Sequence, residues 1–116
     1  MAQSQVYSII QDARGYIWMG TYGGGINSFD GLTFETFSEQ DGLCNNYVYD
    51  ILEDADNNLW IGTKTGLSTY DGLKFTNFKN GSRIHQLDFD NNGQLFLATN
   101  HGISLFADGN FTPLLD

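Results

Sequence analysis

The sequence predicts an all-β fold assembled from three copies of a four-stranded antiparallel meander. Three observations carry that reading. The chain is rich in turn formers and strand formers, with 14 Gly, one Pro and 15% aromatic residues in 116, a composition suited to tight turns and pleated surfaces. It repeats itself three times, with no gap inside either half of a repeat. Within each repeat, four short runs of strand composition are cut by Asp, Asn or Gly, and no helical period survives between the cuts. A chain of this length has room for one modest core, so residues 1–116 read as a single domain.

The first halves of the repeats are Val6 to Thr21 (VYSIIQDARGYIWMGT), Val48 to Thr63 (VYDILEDADNNLWIGT) and Ile84 to Thr99 (IHQLDFDNNGQLFLAT). The second halves are Ile26 to Phe37 (INSFDGLTFETF), Leu67 to Phe78 (LSTYDGLKFTNF) and Ile103 to Leu114 (ISLFADGNFTPL). The units therefore span 6–37, 48–78 and 84–114, with periods of 42 and 36 residues. The length difference lies in the linkers, Ser38 to Tyr47 and Lys79 to Arg83, and in an extra glycine in Tyr22-Gly23-Gly24-Gly25, which marks loops on a fixed scaffold.

In the first unit the expected strands are Val6 to Gln11, Tyr16 to Thr21, Ile26 to Phe29 and Thr33 to Phe37. Connections of two to five residues make consecutive strands antiparallel neighbours. A four-stranded sheet of this size is a β-propeller blade. Stretches such as Tyr16-Ile17-Trp18-Met19 are apolar at successive positions, as blades packed between blades require, whereas a two-layer sandwich would alternate more cleanly. Gly15, Gly31, Gly72 and Gly93 are expected in hairpin turns, some with positive φ, since Asx-Gly and similar pairs favour primed turns.

Asp, two residues, Gly or Asn, one residue, then Leu/Ile-Trp-Ile/Met-Gly-Thr, Gly-Leu/Ile and Tyr/Phe-Asp-Gly recurs as Asp12 to Gly31 and Asp54 to Gly72, and Asp41-Gly42-Leu43 precedes Asn46 and Val48. This pattern closely resembles the two-component regulator propeller repeat. The third copy departs from it, with Phe96 for Trp, Ala98 for Gly and Ala107-Asp108-Gly109 for the last element. The resemblance implies tandem propellers in the sensory part of a bacterial hybrid histidine kinase or related regulator, an extracytoplasmic position in the parent protein, and detection of carbohydrate-derived ligands. The kinase, receiver and DNA-binding portions of such regulators have no counterpart in this sequence.

With 5 Lys+Arg against 14 Asp+Glu and a net charge of -9, the chain would repel nucleic acid and anionic lipid. Met1 to Gln5 lack the basic-then-apolar run of a signal peptide, and no apolar stretch is long enough to span a membrane. A soluble chain is expected, and its compartment is open. Cys44 is the lone cysteine, which excludes an intrachain disulfide. It lies in a linker with no His near in sequence, so a Cys-His pair with His85 or His101 would need a tertiary coincidence. Asp54-Ala55-Asp56-Asn57-Asn58 begins like a calcium loop but lacks the following Gly and distal Glu. Its counterparts Asp12 to Gly15 and Asp90 to Gly93 read as turns whose Asp bonds its own backbone, so no metal site and no cofactor are expected. Trp18 and Trp60 read as packing between blades rather than as sugar platforms.

Residues that the repeat does not dictate are the better functional candidates. With the Val6-type strand innermost, the loops after the second strands and the inter-blade linkers open on one axial face, where Tyr22, Asn45, Asn46, Lys64, Arg83, Asn100 and His101 are the expected ligand contacts. The reading is a non-catalytic sensory or interaction module, since no catalytic set converges. Two alternatives stand beside it: a propeller enzyme acting on glycans after oligomeric assembly, and a structural fragment, designed or excised, without a ligand. Three blades leave two bare faces of roughly 340 Å² each. The expected partner is therefore the chain itself in head-to-tail closure, or further blades of a longer chain. Two chains give six blades, inside the usual range, and three give nine, which favours a dimer over a trimer.

Overall fold

The computed structural model describes residues 5–115. Met1 to Ser4, part of the segment read for a signal peptide, and Asp116 lie outside the described residues. Twelve strands form three separate four-stranded antiparallel sheets, each in simple meander order. The first contains β1 (Val6–Gln11), β2 (Ile17–Thr21), β3 (Ile26–Phe29) and β4 (Phe34–Phe37). The second contains β5 (Val48–Glu53), β6 (Leu59–Thr63), β7 (Gly66–Tyr70) and β8 (Phe75–Lys79). The third contains β9 (Ile84–Phe89), β10 (Leu95–Thr99), β11 (Gly102–Ala107) and β12 (Asn110–Leu115). These are propeller blades, and the ring they begin is not closed. Strands β1, β5 and β9 pack against one another and are innermost, as expected.

Two apolar clusters hold the blades together. Between blades one and two, Trp18 and Ile26 meet Val48, Ile51, Leu59 and Ile61; between blades two and three, Leu67 and Trp60 meet Ile84, Leu87, Leu95, Leu97 and Phe106. Both faces of the middle sheet are therefore buried, which explains the unbroken apolar runs. At the inner strands Asp50 reaches across both seams. Its carboxylate accepts from Ser8 Oγ at 3.3 Å and from the Leu87 N–H at 2.8 Å.

The first hairpin of each blade carries the motif Asp. Asp12 Oδ1 accepts from the backbone N–H of Arg14 and Tyr16, Asp54 Oδ1 from Asp56 and Asn58, and Asp90 Oδ1 from Asn92 and Gln94. The other carboxylate oxygen of Asp12 and of Asp54 accepts the indole N–H of Trp18 and of Trp60, each at 2.8 Å. The Asp and the Trp six residues later are one device, tying turn to core. Phe96 has no N–H to give, so the third blade lacks it.

The turn types differ in part from expectation. Gly15, Gly31, Gly72 and Gly93 all have positive φ. At Gly15, however, the two residues before it are not left-handed and its N–H donates to Asp12 O at 3.0 Å, which is a type I turn closed by a left-handed residue rather than a primed turn. Asn57, with φ 65°, fills that place in blade two. Asp108 and Gly109 both have positive φ, the primed pattern. Gly93 has nothing within 4 Å of the position its Cβ would take, so Gly93→Val tests backbone strain alone. It is expected to lower unfolding stability by about 1 kcal/mol or more in a denaturant titration; an unchanged midpoint refutes the turn assignment.

A three-residue 3-10 turn, Glu39–Asp41, also lies in the first linker, closed by reciprocal hydrogen bonds between Ser38 and Asp41.

Candidate functional site

A β-bulge at the start of each inner strand shapes the axial face. Val6 pairs with Thr21 and Ser8 with Gly20, so Tyr7 has no partner opposite it; Tyr49 in β5 and His85 in β9 are left over in the same way. A bulge bends its strand and re-aims the extra residue. Here all three extra residues join one aromatic cluster. Tyr7 stacks on Tyr49 with centroids 5.4 Å apart and also meets Tyr22 at 5.4 Å, Tyr22 packs edge-on against Tyr47 at 4.6 Å, and Tyr49 lies 6.2 Å from His85. Two cations cover this cluster. Lys64 Nζ is 5.0 Å from the Tyr47 ring centre, and the Arg83 guanidinium is 4.9 Å from that of Tyr49.

The linker is strapped to the loop after β2. Asn46 O accepts from the N–H groups of Gly23 and Gly25, Tyr22 and Tyr47 form a bridge, and the Lys64 N–H donates to Tyr47 O at 3.0 Å. At Gly25, φ is 74° and a Cβ would collide with Phe37 O.

The seven residues expected at the site are not all brought together. Tyr22, Lys64 and Arg83 belong to the aromatic cluster. Asn100 Oδ1 lies 2.6 Å from His85 Nε2 and accepts its N–H in the tautomer that carries one there, and so lies at the edge of the cluster. His101 is exposed, with its backbone N–H on Thr99 Oγ1. Asn45 and Asn46 spend their side chains on the linker itself: Asn45 Oδ1 accepts from the Tyr47 N–H, and Asn46 Oδ1 from the Glu39 N–H. Sequence reasoning missed Tyr7, Tyr47, Tyr49 and His85. A signal was present in the pairs Val6-Tyr7, Val48-Tyr49 and Ile84-His85, which place an aromatic ring at one repeat position.

Burial pushes the Tyr49 phenol up, with Arg83 offsetting part of the shift. Its hydroxyl and Arg83 Nε are buried without a hydrogen-bond partner among the described residues, as is Ser82 Oγ. Cys44 is buried, with Sγ 3.6 Å from Thr65 Oγ1.

The opposite end carries a cleft of ≈ 250 Å³ lined by Asp12, Arg14, Trp18, Glu53 and the turn residues Asp56 to Asn58. Among the described residues no group of three or more His, Cys, Asp or Glu is placed to hold a metal. The carboxylate of Asp12 is already saturated. Burial opposes its ionisation, but the Trp18 indole, Arg14 and the N–H groups of Tyr16 and Arg14 outweigh that and hold it below the ordinary value of 3.8. The resulting stability is fully present above the unfolded value and is lost as pH falls through the lower folded one. Asp12→Ala is therefore expected to cost about 1–3 kcal/mol at pH 7. That difference from the parent should shrink in thermal melts below about pH 4; a pH-independent difference refutes the assignment.

Three antiparallel meanders fanned around inner strands, with loops gathered at one end of those strands, define an open segment of a β-propeller. Residues 1–23 and 42–65 match the family model described as two component regulator propeller, so the first halves of blades one and two are similar to repeats of that family. Among solved structures, the extracellular domain described as that of a hybrid two component system from B. thetaiotaomicron is 28% identical, with a TM-score of 0.77, over 90% of this chain and 16% of that one. A second such extracellular domain from the same organism is 19% identical, with a TM-score of 0.80, over 94% and 16%. Virginiamycin B lyase from Staphylococcus aureus is 20% identical, with a TM-score of 0.76, over 99% and 42%; that likeness is one of fold. The chain thus spans less than a fifth of the extracellular domains it resembles. No curated protein matches it significantly.

Proposed function

We propose that the chain is a non-catalytic ligand-sensing segment of a two-component-type regulator, and that its axial face binds a small carbohydrate-type ligand. The observation that carries this is the tyrosine cluster. Three bulges, one per blade, spend regular pairing to bring Tyr7, Tyr49 and His85 onto one face, and Tyr22 there is 42% exposed. Aromatic faces stack on the apolar faces of sugar rings while their hydroxyls take hydrogen bonds. The 28% identity to the extracellular domain of a hybrid two component system supports the sensing role, and the sugar class rests on the family resemblance. The two uncovered blade faces fit closure by further blades, which a second copy supplies in head-to-tail register.

A glycan-binding screen on the intact chain tests the reading, with product analysis on the same samples. Saturable binding without turnover is expected, weakened about tenfold or more by Tyr22→Ala. Turnover of a bound glycan overturns the non-catalytic assignment, and binding indifferent to Tyr22 overturns the site.

A further inference from the structure

We propose that Arg83 and the Tyr49 hydroxyl form an anion subsite within the axial face, which takes a carboxylate or sulfate carried by the ligand. The inference deepens the sensing reading above and rests on it for the location of the site, but not for the sugar.

In a chain of 14 acids and 5 Lys+Arg, a guanidinium has acids to choose from. Arg14 has one, Asp12 at 3.1 Å, and that is the sole ion pair among the described residues. Arg83 has none. Its charge instead lies over the Tyr49 ring at 4.9 Å, and its Nε is buried with no acceptor. Beneath it the Tyr49 hydroxyl is buried and unpartnered, and so is Oγ of the neighbouring Ser82, a residue only 6% exposed. Folded proteins pair buried polar groups almost without exception, because an unpaired one forfeits its hydration for nothing. Three orphans in and beside one linker therefore point to a partner from outside the chain.

The chemistry of the three selects the partner. The guanidinium can only donate, and both hydroxyls can donate. The Tyr49 phenol, like any tyrosine, is protonated at neutral pH, and burial pushes its titration further up. A guanidinium packed on a phenol whose O–H is free to donate suits an oxyanion and repels an amine or a metal ion. The planar guanidinium fork matches the paired oxygens of a carboxylate or sulfate, which is the strongest form of charge-assisted hydrogen bond.

The test follows the Arg83 Nε–H resonance of the intact chain by heteronuclear NMR during titration with sodium glucuronate, glucose 6-sulfate, glucose and sodium acetate. Saturable shifts are expected with the three anions, weakening as salt is raised, and not with glucose. Arg83→Gln is expected to weaken glucuronate binding about ten- to hundredfold. Arg83→Lys keeps the charge and the stem over Tyr49, guards against a folding artefact, and should recover part of the affinity. Glucose bound as well as glucuronate, with Arg83→Gln harmless, overturns the anion subsite and leaves the sugar reading standing. Acetate bound while neither sugar acid binds supports the subsite and overturns the sugar reading. No saturable shift with any anion means that water alone occupies the donors, and the proposal fails.

Discussion

In light scattering at micromolar concentration, the chain is expected to have a mass that is an integer multiple of 12.9 kDa, with two copies and six blades the favoured count. The reason lies in three residues at one repeat position. Ile51 and Leu87 are 1% and 2% exposed, each pressed against the preceding blade, whereas Ile9 is 65% exposed. Val6 is likewise 44% exposed where Val48 and Ile84 are fully buried. Blade one thus presents a finished socket with no blade in it. The far face of blade three offers Phe96, Ile103 and Leu105, half-buried, and departs from the other copies at Asp88, which stands where Ile10 and Leu52 stand, and at Ala98. Ile9→Glu places a charge in the seam and leaves the isolated chain's own contacts intact. It should weaken association by about 2 kcal/mol or more, some thirtyfold. Ala98→Gly, which restores the space that Val48 and Ile84 use in the other copies, should strengthen it. A mass of 12.9 kDa with cooperative unfolding refutes closure by a second copy.

Gly20→Ala and Gly62→Ala are expected to be among the most damaging methyl additions in the chain. A Cβ at Gly20 would lie 2.6 Å from Val48 Cγ1, and one at Gly62 would lie 2.9 Å from Ile84 Cγ2 and 3.1 Å from Ile84 O. Neither neighbour has room to retreat, since Val48 and Ile84 are fully buried on the innermost strands, and a carbonyl in a ladder moves only with its strand. Overpacking of this kind costs about 1–3 kcal/mol, read as a fall of several degrees in melting temperature. The double variant Gly20→Ala with Val48→Ala removes the colliding methyls, and its cost should be less than the sum of the two single changes. Additive costs would show that the glycine acts through backbone freedom rather than through blade spacing.

These glycines also show how far the sequence could be read. The repeated Gly-Thr at the end of the second strand was visible as a pattern, yet the pattern contained no reason for it. The reason is the approach of the next blade, a contact 28 residues away for Gly20 and Val48. The Asp of the first hairpin was legible as a turn former because its bonds to the next few N–H groups are local. Its second bond, to the Trp indole, was not, because the hairpin has to fold back before residues 12 and 18 meet.

The axial face divides the same way. Loop placement followed from strand count and parity, which brought Tyr22, Lys64 and Arg83 to one end of the chain. Asn45 and Asn46 share that end and hold the linker instead, a distinction that depends on which backbone groups lie within reach. Tyr7, Tyr49 and His85 escaped because strict alternation along a strand assigns a side to each residue, and a bulge breaks that alternation without changing the length of the repeat. By itself the sequence determined the strands, their meander order and the blade unit, since these rest on local composition, short connections and an exact internal repeat. Only the tertiary structure decided which rings cluster, which carboxylates are already spent and which donors are left without a partner, because those follow from distances between blades that no local pattern encodes.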